Sequence, residues 1–181
     1  MQGKSVKRIN TKDELEKYKI EGKWNDYIGL QKEIINVLRS EGYFDIRSVI
    51  NEESGMNVRI TAKGIKETLG NRNRFQNLPK RIKVYKVATI RHIPSLIKNG
   101  YIIADNVDNI HEEGGYKFAY IGNEVVIDNE SVRIRIAVKK KIGSNHFWIH
   151  NIDEYKNDSE LLGPSRKTEN KETQSRINTI S

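Results

Sequence analysis

The chain has no cysteine, which excludes disulfide frameworks, cysteine-ligated zinc, iron–sulfur clusters and thiol nucleophiles. Apolar residues are also few, 36% of 181 against ~45–50% in an average globular chain. One compact core with polar extensions fits that figure better than two full cores. No apolar run approaches the roughly 18 residues that a membrane span requires. The opening Met1-Gln2-Gly3-Lys4-Ser5 lacks the apolar stretch of a secretory signal, so the expected location is the cytosol, away from membranes. Zinc-protease, phosphate-loop, dinucleotide and EF-hand motifs are missing as well. Acidic residues are sparse around the predicted sheet, which argues against a two-metal nuclease built on carboxylates. No metal and no cofactor is expected.

What the chain does have is positive charge, in one place. Residues 1–56 hold 10 basic and 10 acidic side chains, and residues 153–181 hold 5 and 6. Residues 57–152 hold 17 basic against 8 acidic, and ten of the basic ones lie between Lys63 and Lys98 with Glu67 as the only acid. A clustered excess of this kind is the electrostatic footprint of a polyanion. RNA is the expected partner, with tRNA among the candidates. A solvated helix face is the plainer alternative.

Patterning divides the chain into three parts. Residues 1–56 read as a helical N-terminal extension. In it Thr11 and Glu14 suggest a capping box, and Tyr27, Leu30, Ile34, Val37 and Leu38 recur at helical spacing up to Gly42. Residues 57–152 form the main domain. It opens with a short strand over 57–61 and a helix over 62–69 closed by Gly70. A basic loop over 72–76 follows, then a helix begun by Pro79 with Val84 and Val87 towards the core, and helical turns up to Asn99-Gly100. Strands are then predicted over 117–121, 124–128, 131–139 and 146–152, with turns at Gly122-Asn123, 128–130 and 142–145. Helices followed by a four-stranded antiparallel β-meander make an α+β fold. Residues 153–181 turn polar and read as a disordered tail.

Alternation gives the sheet two unlike faces. Val132, Ile134, Ile136 and Val138 point one way, and Arg133, Arg135 and Lys139 the other. Phe147 and Ile149 likewise oppose His146, Trp148 and His150. The apolar set packs under the helices. The opposite face carries cations for phosphate and an indole for base stacking, as an RNA-reading sheet needs.

Metal-free RNA cleavage requires a base, an acid for the leaving oxygen and fixed cations around the phosphorane. Histidine suits the first two. His146 and His150 lie roughly 13 Å apart along a strand and cannot readily share a metal. His150, in mid-strand on the polar face, is the first catalytic candidate, and His111, in a loop entering the sheet, is the second. Lys117, Arg133 and Arg135 are candidate cations. The expected nucleic-acid contacts are Arg72, Arg74, Lys83, Arg91, His92, Tyr120, Arg133 and Trp148. For His92 the alternative role is to cap or orient the basic helix.

Several short motifs occur in a telling order: Asn71-Arg72-Asn73-Arg74-Phe75, Leu78-Pro79-Lys80, Ala88-Thr89-Ile90-Arg91-His92-Ile93-Pro94, Asn109-Ile110-His111, Lys117-Phe118-Ala119-Tyr120 and Phe147-Trp148-Ile149-His150. The series resembles C-terminal domains of large proteins from phages and other mobile elements of Gram-positive bacteria. Those domains are assigned to the barnase–EndoU–colicin–RelE-like nuclease superfamily. The resemblance covers about residues 57–152. It implies helices followed by a four-stranded antiparallel sheet, with the active site on the face away from the helices. It also implies a metal-independent ribonuclease, often deployed as a toxin in bacterial cytosol, for which an immunity protein or antitoxin is the natural partner. It carries over a role for His150 and, behind it, for His111 and Lys117. Barnase-type sites use a glutamate as base, and no counterpart stands out in the linear sequence. Two other functions fit the same charge: a non-catalytic nucleic-acid-binding module, and an inhibitor of a host nucleic-acid enzyme.

Overall fold

The computed structural model describes residues 5–108 and 115–157. Among these residues lie β1 (Lys7–Ile9), α1 (Thr11–Lys17), α2 (Tyr27–Ser40), β2 (Ser48–Ile50) and β3 (Asn57–Arg59). Four helices follow: α3 (Ala62–Leu69), α4 (Arg72–Gln76), α5 (Lys80–Thr89) and α6 (Ile93–Asn99). The last strands are β4 (Tyr101–Asp108), β5 (Tyr116–Ile127), β6 (Glu130–Lys141) and β7 (Phe147–Asn157). All the strands join one sheet in the order β1–β5–β6–β7–β3–β2, with β4 also on β5. β1 pairs with β5, and β3 with β7, in parallel, and the other pairings are antiparallel. The fold is therefore helices on a seven-stranded mixed sheet, not a four-stranded antiparallel meander.

The alternation along β6 decides which face the helices cover. Val132, Ile134, Ile136 and Val138 are each at most 2% exposed. They join Leu30, Ile34 and Leu38 of α2, Ile65 and Leu69 of α3, and Val87 of α5 in one core. The N-terminal segment shares that core through Ile9, Tyr18 and Val49. β2–β3 pairing also spans the expected boundary between residues 56 and 57.

Several local expectations are corrected. Residues 117–121 and 124–128 form one continuous strand, because Gly122 and Asn123 serve packing and not a turn. A Cβ at Gly122 would lie 2.5 Å from the Tyr101 ring, and the buried Asn123 side chain donates to the Leu96 carbonyl at 3.1 Å. The reversal comes at Asp128-Asn129, both at positive φ, as the commonest two-residue hairpins require. β1 and β2 span three residues each, too few for alternation to register. β4 pairs with β5 through two register shifts, which breaks its period of two. The expected basic loop over 72–76 is the helix α4, capped by Asn71. Asn10, not Thr11, caps α1, its side chain accepting from the Asp13 N–H at 3.0 Å. The expected tail from residue 158 onward, and His111 with its loop, lie outside the described residues.

Candidate active site

The geometry starts from a close approach of helix and strand. Thr61 caps α3 by accepting the Gly64 N–H at 3.1 Å. At Gly64 a Cβ would lie 2.5 Å from the Ile149 methyl and 3.0 Å from the Ile149 carbonyl oxygen. Only glycine lets α3 lie so tightly against β7. Glu67, three residues along the helix and so on the same side, is thereby carried to His150, the neighbour of Ile149. Gly70 closes α3 at φ +88°, and Asn71 starts α4 with Arg74 beside the same cleft.

β7 contributes an irregularity. Ala137 of β6 pairs with Asn151, and Val138 pairs with Ile149, so His150 is the extra residue of a β-bulge. Bulges of this kind re-aim a side chain out of regular alternation. His150 Nδ1 lies 3.3 Å from Glu67 Oε2, and its ring meets Phe118 edge-on, centroids 5.4 Å apart. Lys139 Nζ stands 3.5 Å from the same Glu67 oxygen. A cleft of about 380 Å³ opens here, lined by Lys63, Lys66, Glu67, Arg74, His150 and Asn151. Lys63, Lys66 and Arg74 have no ion-pair partner among the described residues.

Behind the cleft, Lys86 of α5 is 6% exposed and donates to Asn151 Oδ1 at 3.1 Å. Burial pushes its ammonium down to about 8, against an opposing pull from Asp153. Unfolded, it titrates near its ordinary 10.5. Between those values the unfolded chain holds a proton that the folded chain has lost, so stability rises with pH across that window. Below it both states are charged and the full cost of burying the ammonium applies. Lys86→Met should therefore be more stable than wild type at neutral pH, with the advantage shrinking towards about pH 10. Denaturant midpoints over that range check this, and a gap that does not change with pH would contradict it.

The predicted site residues divide sharply. His150 and Arg74 share the cleft, whereas Lys117 belongs to the opposite face of β5 from Phe118 and is paired with Asp108. Arg135 makes a two-point contact with Asp153 at 2.8 and 3.1 Å and lies 4.6 Å over the Tyr120 ring. Arg133 is paired with Glu124 at 3.2 Å. Lys83 sits 5.8 Å over Phe75, and Arg72 is exposed on α4. Arg91 and His92 are drawn away to Glu14 of α1, at 3.1 and 3.0 Å, and Arg91 also meets Glu41. Burial lowers the His92 pKa despite the adjacent carboxylate. These two residues fasten α1 to the helical layer. Trp148 is half-buried, with His146 edge-on to it at 4.5 Å.

Glu67 and Lys139 are the additions that the structure makes. The one acid within the basic stretch was a visible signal, but its partner is 83 residues away. No group of three or more histidine or carboxylate side chains suited to a metal occurs among the described residues. No helix there is long and apolar enough to cross a membrane. The family described as Large polyvalent protein-associated domain 3 matches residues 26–148, a span that includes Glu67, Lys139 and Trp148 and ends just before His150. No curated protein and no solved structure matches the chain.

Proposed function

The chain belongs to the large polyvalent protein-associated domain 3 family, and with that as premise we propose that it is a metal-independent endoribonuclease of a phage or mobile element. The observation that carries this reading is the Glu67–His150 pair in a cleft edged with unpaired cations. It supplies the glutamate that a barnase-like site requires. The Glu67 carboxylate accepts the proton of a ribose 2′-hydroxyl as that oxygen bonds to the adjacent phosphorus. The bond from phosphorus to the 5′-oxygen breaks, and the His150 imidazolium gives its proton to the leaving oxygen. The products are a 2′,3′-cyclic phosphate and a free 5′-hydroxyl. Lys139 and Lys63 stand where negative charge builds on the phosphorane.

Such an activity in a bacterial cell acts as a toxin or effector. The expected protein partner is an immunity protein or antitoxin that covers the cleft. Incubation with total RNA in EDTA, with analysis of the product ends, tests the reaction. Cyclic phosphates paired with 5′-hydroxyls are expected. RNA bound but left intact from about pH 5 to 8 would make the chain a binding module instead.

The loose cations allow a separate test. Removing Lys66 or Arg74 should weaken RNA binding and flatten its salt dependence by about one unit of slope each. Removing Arg133, already matched by Glu124, should change the slope far less. Binding measured by anisotropy across a salt series would show equal changes if the open sheet face were the phosphate track.

A further inference from the structure

A second cleft, of about 400 Å³, adjoins the first, and Lys63 and Glu67 line both. Its other walls include Tyr116, Lys139, Lys141 and Trp148, over a floor at Ile149 and Gly64. Cleavage at the first cleft assigns nothing to this space. His146 braces the Trp148 indole, the two rings meeting at 73° with centroids 4.5 Å apart. Lys139 lies 5.3 Å over the Tyr116 ring and 3.5 Å from Glu67, so it links the aromatic wall to the reacting pair. Lys141 is exposed at the rim and has no ion-pair partner among the described residues. Trp148 and His150 stand two residues apart on β7, roughly 7 Å along a strand.

Aromatic walls with cations at the rim suit a stacked base whose phosphate stays at the edge. We infer that this cleft is the base-binding subsite for the nucleotide next to the scissile phosphate. The preferred substrate is consequently single-stranded there, because a duplex keeps its bases paired and stacked on one another. This inference rests on the nuclease reading for its location, but its test requires no cleavage.

The test uses the full chain and a labelled oligoribonucleotide of about eight residues with every 2′-hydroxyl methylated, which cannot be cut. Its comparators are the same backbone without bases and the same strand in a duplex. Wild type should bind the base-bearing single strand about tenfold more tightly than either comparator. Trp148→Ala should lose that tenfold on the base-bearing strand and nothing on the abasic one, while Trp148→Phe keeps most of it. Equal losses on both strands would overturn the inference by reducing Trp148 to a structural residue. So would wild type binding the abasic or duplex form as tightly, an outcome independent of how any variant folds. A chain with the expected binding pattern that leaves ordinary RNA intact would retain this subsite and refute the nuclease reading. Cleavage of RNA by a chain indifferent to bases would do the reverse.

Discussion

Glu67→Gln should lower the rate of RNA cleavage by about a hundred- to ten-thousandfold, the range associated with a positioned general acid or base. The substitution keeps the shape of the side chain and an oxygen to accept from Lys139 and His150. Stability should change little, since the Glu67 side chain is 30% exposed and its ion pairs with Lys139 and His150 are only partly buried. His150→Ala should cause a loss of similar size. The double variant should be little worse than either single one, because the two groups act in one step. Single-turnover rates on a labelled oligoribonucleotide, with circular dichroism for the fold, measure this. A Glu67→Gln protein as active as wild type would remove the glutamate from the reaction. A double variant whose loss is the product of the single losses would show that the two groups act separately.

Gly64→Ala should damage activity from a position outside the reacting Glu67–His150 pair. The added methyl would meet the Ile149 side chain at 2.5 Å and the Ile149 carbonyl at 3.0 Å, and the carbonyl belongs to a paired strand that cannot move aside. Relief requires α3 to withdraw from β7. Overpacking of this kind costs about 1–3 kcal/mol, somewhat offset by the better helix propensity of alanine. The same shift carries Glu67 away from His150, and a displacement near 1 Å in a catalytic group costs about a hundredfold in rate. The expected signature is a modest fall in melting temperature with a large fall in the cleavage rate and a much smaller fall in RNA binding, since Lys66 and Arg74 remain free to meet phosphate even where the base cleft is disturbed. Comparable losses in binding and rate would point to general unfolding of the α3–β7 contact. Unchanged rates would show that this approach does not set the geometry.

Much of the scaffold could be read from pattern because burial enforces period. β6 alternates from Val132 to Ile136, and Val132, Ile134, Ile136 and Val138 fill the core. α2 and α3 likewise have apolar positions at helical spacing that end up buried. Reading failed where a residue answers to a distant neighbour. Gly122 and Asn123 resemble a turn until Tyr101 and the α6 backbone are placed against them. The bulge at His150 cannot be seen without the register of β6. The charge pattern misled in the same way. Arg133 and Arg135 look like free cations in a strand, yet Glu124 and Asp153 arrive from the strands on either side. Arg91 is matched by acids of the N-terminal segment, Glu14 and Glu41. Among the described residues, Lys63, Lys66, Arg72 and Arg74 of α3 and α4 are cations of the basic stretch that have no ion-pair partner. Glu67 was legible as an isolated acid, but its contact with His150 follows only from the packing of Gly64 on Ile149.

In the proposed reaction the Glu67–His150 pair drives attack by a 2′-hydroxyl. The most direct measurement places a single 2′-deoxyribose at the mapped cleavage position of an otherwise normal oligoribonucleotide, in EDTA. Cutting at the mapped position should disappear, while any secondary sites on the same strand are still cut. Continued cutting at the deoxyribose, leaving a 5′-phosphate, would mean that water and not the 2′-hydroxyl is the nucleophile, and that Glu67 and His150 do not act as proposed.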